Sequence, residues 1–231
     1  MKNVLLSALL SLLALGSALA LGSALAQTRA VPAFHAIKLS GGIELTLTAG
    51  APQRVAVSTE PAELAQYLTT TVEEGTLVLR FEYPHGNARR QHLRVAVTAD
   101  QLTALTAGGG AAVTARGAFA TPTLALDVSS GAAVRADLTT SDLTVRQHGG
   151  SVVTLNGQAA KLLLDVNGGS VFSGSDLATT TCQAQANGGS IVRLNTKDSL
   201  TATADGGSTI KYHGSPQVTK QANGGSTITG S

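Results

Sequence analysis

The chain has 231 residues and a formal net charge of +2, and only 13% of its residues are charged. Lys and Arg are far sparser than in proteins that bind nucleic acid through a basic surface, which excludes that class. The chain contains 26 glycines, no Trp, three Tyr and four Phe, yet 43% of its residues are hydrophobic. Many small β-forming residues with frequent glycines predict thin, repetitive layers rather than a core built on aromatic rings.

Residues 1–26 have the pattern of a secretory signal peptide. Lys2 provides a positive start, residues 4–15 are almost entirely apolar, and Leu-Gly-Ser-Ala-Leu-Ala then follows twice, each copy ending in Ala-x-Ala. We expect cleavage after Ala26 and export to the periplasm, the outer membrane or the medium. An uncleaved membrane anchor is the alternative, because the apolar stretch is long enough to cross a bilayer.

A short repeat occupies residues 107–231. A Gly-Gly or Ser-Gly pair is followed each time by a small residue and then by apolar, mostly β-branched residues. The second glycines of these pairs are Gly110, Gly131, Gly150, Gly169, Gly189, Gly207 and Gly225. The spacings are therefore 21, 19, 19, 20, 18 and 18. A period near 20 is too short for propeller blades or helix pairs and is typical of one coil of a parallel β-helix.

Apolar residues recur at fixed positions relative to these glycines. Three residues after each one stand Val113, Val134, Val153, Phe172, Val192, Ile210 and Ile228. The positions three, five and seven before it are also mostly apolar, with Gln147 and Lys220 as exceptions. Alternation at period two predicts that these residues face inward and stack as columns. Cys182 belongs to one column, so we expect a buried structural thiol rather than a nucleophile.

The glycine pairs predict sharp corners. Glycine adopts positive φ without steric cost, which a tight turn between short strands commonly requires. Asn167, Asn187, Asp205 and Asn223 each precede a pair. Stacked coils would bring these four side chains into a hydrogen-bonded ladder.

Residues 34–106 are less regular. Alternating patterns predict strands at 33–48, 54–58, 76–81 and 92–98, a short helix at 61–67 and an exposed loop at 84–91. We therefore predict an all-β, right-handed parallel β-helix with about seven regular coils at 107–231. Residues 27–33 would be a linker, and residues 34–106 would add irregular coils that cap the solenoid. A separate small β-domain is the alternative for this half.

The repeat carries no recognisable catalytic, cofactor-binding or metal-binding residues. Asp127, Arg146 and Asp165 share an outward column four residues before the second glycines. We interpret them as a surface ion-pair ladder rather than as the carboxylate pair of a glycosidase. The histidines lack metal-ligand spacing, no Asp follows the glycine pairs as a calcium-binding repeat needs, and Gly-x-Ser-x-Gly is absent. Arg135, Arg193 and Lys211 interrupt an outward Thr column and exclude an ice-binding array.

Three further motifs carry a resemblance to a known family. They are Phe34-His-Ala-Ile37-x-x-Ser-Gly-Gly-Ile43-x-Leu45, Gly75-Thr-Leu77 and Ile210-Lys-Tyr212-His-Gly214-x-Pro216. With the serial glycine repeats, they resemble the putative auto-transporter adhesin, head GIN domain family over about residues 33–231. The resemblance implies an exported, β-helical, non-enzymatic protein and brings no catalytic residues.

We therefore expect a non-enzymatic exported protein of the cell envelope, an adhesin or binding module. Its expected partners are a cell-surface or glycan ligand and a second copy of the chain, and not nucleic acid. A carbohydrate-active β-helix, such as a polysaccharide lyase or hydrolase, is the alternative, but sugar rings usually stack on aromatic side chains, which are scarce here. A structural envelope protein without a ligand is a third alternative.

Overall fold

The computed structural model describes residues 26–82 and 92–231. The expected signal peptide, apart from Ala26, lies outside the described residues, and so does the expected loop at 84–91. In the described part of the chain, no helix has both the length and the apolar character needed to cross a membrane.

The described residues form one sheet of seventeen strands and one 3-10 helix, Ala62–Tyr67. The helix lies at the position expected from the sequence. The strands are β1 (Gln27–Arg29), β2 (Ala36–Ser40), β3 (Glu44–Ala49), β4 (Arg54–Glu60), β5 (Leu68–Glu73), β6 (Thr76–Phe81), β7 (His92–Ala99), β8 (Ala104–Ala107), β9 (Ala112–Arg116), β10 (Phe119–Val128), β11 (Ala133–Gln147), β12 (Val152–Val166), β13 (Val171–Ala186), β14 (Ile191–Ala204), β15 (Thr209–His213), β16 (Gln217–Ala222) and β17 (Thr227–Gly230).

The strands from β8 onward stack in parallel, one repeat on the next. Val153 pairs with Val134 on one side and with Phe172 on the other, and Leu164 lies between Val145 and Ala184. Residues at the same position of successive repeats therefore lie above one another, ~4.8 Å apart. The predicted parallel β-solenoid of about seven coils is confirmed.

The predicted inward columns form the core. The column three residues after the second glycines is buried throughout, with exposed fractions from 0% at Val153 to 7% at Ile228. Alternation breaks down in the last coil, where Val218 is half-buried and Lys220 and Ala222 are exposed. This coil is covered by a neighbouring coil on one side only within the described residues, so inward-facing side chains at its other side remain accessible.

The corners align along one edge of the solenoid. The backbone N–H of each second glycine from Gly42 to Gly207 donates a hydrogen bond of 2.9–3.1 Å to a carbonyl oxygen. The acceptor is the first residue of the corner on the adjacent coil. Both residues of every pair have positive φ, including Ser130 at 53°. The predicted corner geometry is confirmed, and it extends to Gly41 and Gly42, which the sequence pattern placed inside a strand.

A buried serine column lines the inside of these corners. Ser151, Ser170, Ser190 and Ser208 are fully buried. The Ser170 hydroxyl accepts the Ser151 backbone N–H at 3.2 Å and donates to the Asn167 carbonyl oxygen at 2.8 Å. The sequence pattern showed a small residue here but not this polar ladder. Of the predicted Asn ladder, one link is present, from the Asn187 amide to Asn167 Oδ1 at 3.0 Å.

The N-terminal half joins the same sheet in an order that differs from the chain order. Strands β2 and β3 flank the Gly41–Gly42 corner and pair directly with β8 and β9, although residues 50–103 lie between them in the sequence. Strands β6 and β7 stack in parallel on the other side of β2 and β3. This pairing excludes a separate β-domain.

Antiparallel strands end the parallel stack at this side. Strand β5 pairs with β6, β4 pairs with β7, and β1 pairs with β4. The N-terminal part thus covers the first parallel coil with antiparallel strands. Strands β5 and β6 form a hairpin, since only Glu74 and Gly75 join them, whereas β4 reaches β7 and β1 reaches β4 across long stretches of sequence.

Gln147 is the one amide in the inward columns, and its replacement tests how the core tolerates it. Gln147 is 1% exposed, its Nε2 donates to the Val171 carbonyl oxygen at 3.1 Å, and its buried Oε1 has no hydrogen-bond partner. The residues above and below it are Val128 and Val166. We expect Gln147→Val to raise the free energy of unfolding by about 1 kcal/mol, because it removes an unpaired buried carbonyl. Denaturant unfolding measures this change, and a loss of stability would mean that the amide donor outweighs the unpaired oxygen.

Candidate functional site

The three charged residues of the predicted ion-pair ladder stack in register but do not pair. Asp127 lies beside Arg146, and Arg146 lies beside Asp165. The described residues contain only two ion pairs, Arg80–Glu82 and Arg94–Glu44. The ladder prediction is therefore wrong. Asp165 Oδ1 instead accepts a 2.6 Å hydrogen bond from the amide of Asn167, and an exposed ion pair is worth at most about 1 kcal/mol, too little to impose one geometry on long side chains.

Cys182 lies in the core. The side chain is 5% exposed, and burial raises the pKa of the thiol to about 12, an effect only partly offset by a hydrogen bond with Thr196. Because the thiolate is the reactive form, this thiol is inert near neutral pH. The structure agrees with the structural role expected from the sequence.

This burial leads to a test of Cys182. We expect the native protein to resist alkylation by iodoacetamide at pH 8 and to react stoichiometrically once unfolded in guanidinium chloride. Mass spectrometry of the intact protein measures both states. Rapid labelling without denaturant would contradict the burial of this column.

An apolar void in the solenoid interior is too small for a ligand. Its volume is about 20 Å³, and Leu47, Ala115, Val134 and Ala136 are among the residues that line it. A space of this size holds about one water molecule, and its lining surface is apolar. The described residues also contain no group of three or more His, Cys, Asp or Glu side chains placed to hold a metal ion.

The outward side chains therefore remain as the candidate site. Each coil has a first side, which follows the glycine corner, and a second side, which precedes it. On the first side, columns four and six residues after the second glycine face outward. We call these residues the polar face: Thr46, Thr48, Thr114, Arg116, Arg135, Asp137, Thr154, Asn156, Ser173, Ser175, Arg193, Asn195, Lys211, His213, Thr229 and Ser231.

The polar face is positively charged and the second side is not. The polar face has one carboxylate, Asp137, and four cations, Arg116, Arg135, Arg193 and Lys211. The corresponding outward columns of the second side carry two cations and two carboxylates, Lys38 and Arg146 with Asp127 and Asp165. The small net charge of the whole chain hides this separation.

The four cations of the polar face are exposed and have no ion pair or side-chain hydrogen bond with the described residues. The single carboxylate of the face pairs with an amide and not with a cation, since Asp137 Oδ1 accepts a 2.7 Å hydrogen bond from the amide of Asn156. An aliphatic ridge flanks the face beside the corner, with Val152 43% and Ile191 39% exposed.

Three of these cations, Arg135, Arg193 and Lys211, interrupt the outward Thr column of the sequence, which excluded an ice-binding array but did not identify the face. The signal that identifies the face was available in the same columns. A comparison of net charge between the two outward sides separates them, once the inward positions are assigned.

A comparison with protein families assigns the chain. The model of the family described as "Putative auto-transporter adhesin, head GIN domain" matches residues 33–216. The chain belongs to this family. The resemblance that the motifs of residues 34–45, 75–77 and 210–216 indicated is confirmed. No curated protein matches the sequence.

Several solved structures have a similar fold. A putative adhesin from Bacteroides fragilis NCTC 9343 has a TM-score of 0.83 at 20% identity, with 89% of this chain and 95% of that chain covered. A putative adhesin from Parabacteroides merdae ATCC 43184 has a TM-score of 0.70 at 18% identity, covering 89% and 95%. A putative lipid binding protein from Parabacteroides distasonis ATCC 8503 has a TM-score of 0.68 at 13% identity, covering 89% and 96%.

Proposed function

We propose that this chain is an exported, non-enzymatic binding module of the cell envelope that holds its ligand along an outward side of the solenoid. The observation that carries the proposal is the polar face, a rigid surface that repeats exposed hydroxyl, amide and cationic groups from coil to coil. A repeating surface forms many weak contacts with an extended ligand, and such contacts add to a useful total affinity. The adhesin description of the family supports the same function.

The proposal of a non-enzymatic role rests on the chemistry of the outward columns. Acid–base cleavage of a glycosidic bond requires two carboxyl groups placed on either side of the scissile bond. In the column that holds Asp127 and Asp165, Arg146 lies between the two carboxylates, and Asp165 is engaged by Asn167. The proposal of export rests on the pattern of residues 1–26, which predicts Gln27 as the first residue of the mature chain.

Two experiments test this function. Expression of the full chain in a Gram-negative host, followed by fractionation and N-terminal sequencing, should place the protein outside the cytoplasm with Gln27 at its start. The processed protein should then bind isolated envelope material or immobilised glycans in a binding screen without releasing products. Release of sugar fragments that stops in Asp127→Asn or Asp165→Asn would support a carbohydrate-active enzyme instead.

A further inference from the structure

We propose that the polar face binds a linear, carboxylate-bearing polysaccharide that lies along the solenoid axis. This inference rests on the proposed function and names the ligand class and the side of the solenoid that takes it. Arg135, Arg193 and Lys211 would hold the carboxylates, and the hydroxyl groups between them would bind sugar hydroxyls.

The cations of the polar face have no carboxylate close by. Elsewhere, Arg94 Nε lies 3.2 Å from Glu44 Oε2, Arg80 lies 3.5 Å from Glu82, and Arg146, which forms no ion pair, lies between Asp127 and Asp165 in its column. On the polar face, Arg135 and Arg193 have no ion-pair partner in the described part of the chain and no carboxylate beside them in their column. A planar guanidinium binds a carboxylate through two parallel hydrogen bonds, so two free arginines in one column are suited to anionic sugars.

The spacing of the cations fits a linear ligand. Arg193 and Lys211 occupy the same position on neighbouring coils, ~4.8 Å apart along the axis, and Arg135 lies three coils before Arg193, ~14 Å away. A pyranose unit in an extended glycan is about as long as the rise of one coil. Carboxylates on a regular glycan therefore recur at multiples of the coil rise and meet the cations in register.

The two coils between Arg135 and Arg193 present hydroxyl groups. Thr154 and Ser173 are partly exposed there, and their hydroxyl groups make no hydrogen bond with the described residues. Each hydroxyl both donates and accepts, as sugar hydroxyls do. The column thus has hydroxyl groups between its cations. This arrangement matches a glycan that carries carboxylates as well as hydroxyl groups.

The composition of the face also argues against other ligands. The face contains no Phe, Tyr or Trp, and its one aromatic ring is the imidazole of His213 at its end, so neutral sugar rings and nucleic-acid bases have no extended surface on which to stack. The flanking ridge exposes less than half of Val152 and of Ile191, its largest exposed side chains, and it has no aromatic residue to anchor it in a bilayer interface. Charge and hydrogen bonding are the interactions that remain.

The test measures binding of the processed full chain to three carboxylated polysaccharides: polygalacturonate, alginate and hyaluronate. We expect at least one to bind, its affinity to fall as salt rises, and its methyl-esterified form to bind weakly, because esterification removes the charge. The double variant Arg135→Glu/Arg193→Glu should lose affinity by roughly tenfold or more. The matched control Arg146→Glu, which reverses a charge on the second side, should bind like the wild type. Circular dichroism should show both variants folded.

Several results would overturn the inference. They are failure of all three polysaccharides to bind, equal binding of the esterified form, equal loss in Arg146→Glu, and binding to phosphatidylserine vesicles in place of the polysaccharides. If the double variant still binds isolated envelope material as the wild type does, the polar face is not the site, while the proposed function stands. If the wild type binds no envelope material or glycan at all, the proposed function fails as well.

Discussion

Leu164→Asp should destabilise the protein severely, by about 4 kcal/mol or more, because it places an unpaired carboxylate in the solenoid core. Leu164 is fully buried, and its column neighbours are Val145 and Ala184. No cation lies in this column to neutralise the new charge until Lys220, in the last coil. Denaturant unfolding of the wild type and the variant measures the difference.

The preceding residue supplies the control. Leu163 is 38% exposed and faces outward, so Leu163→Asp makes the same chemical change one position away and should alter stability by less than about 0.5 kcal/mol. The two adjacent substitutions differ only in the side of the strand they occupy. Equal destabilisation by both would mean that the inward and outward positions are assigned incorrectly.

Gly157→Ala should also be strongly destabilising, by about 3 kcal/mol or more, because two costs combine. Gly157 has a φ of 106°, which L side chains rarely adopt. A Cβ added there would overlap the carbonyl oxygen of Leu138 on the preceding coil, so the backbone itself has to shift. Thermal unfolding followed by circular dichroism measures the loss.

Gly169→Ala separates the two costs. Gly169 also has positive φ, at 72°, but a Cβ at this corner would meet no atom within 4 Å. We therefore expect only the backbone cost, about 1–2 kcal/mol. If the two variants lost the same free energy of unfolding, the close approach of Gly157 to Leu138 would contribute nothing to the destabilisation.

The regular coils were predictable because the sequence of each repeat determines both its inward positions and its corner. Alternation around Val153 and Leu164 assigns inside and outside, and the glycine pairs place the corners at even intervals. In a parallel stack, equal coils pair in register with their sequence neighbours, so local pattern and long-range pairing coincide. The same logic placed Cys182 in the core.

The position of the coil at residues 36–49 was not predictable in this way. Its corner, Gly41–Gly42, has the same pattern as the others, yet it stacks on the coil at residues 104–116 rather than on the strand that follows it. The evenly spaced hydrogen bonds of a parallel ladder depend on the register of the two strands and not on their separation along the chain. Sequence order therefore does not decide the stacking order once the spacing becomes irregular.

The sequence by itself determined the solenoid, its corners and its core columns, because these depend on period and alternation along the chain. It indicated the family through the resemblance of three short motifs and the glycine repeats. Only the tertiary structure decided which charges pair. Asp127, Arg146 and Asp165 stack as expected, but a nearby amide engages Asp165 and leaves no ladder. The tertiary structure likewise showed that Arg135 and Arg193 have no partner in the described residues. Side-chain pairing depends on competition among neighbours in three dimensions, where exposed ion pairs and local hydrogen bonds differ by about 1 kcal/mol or less.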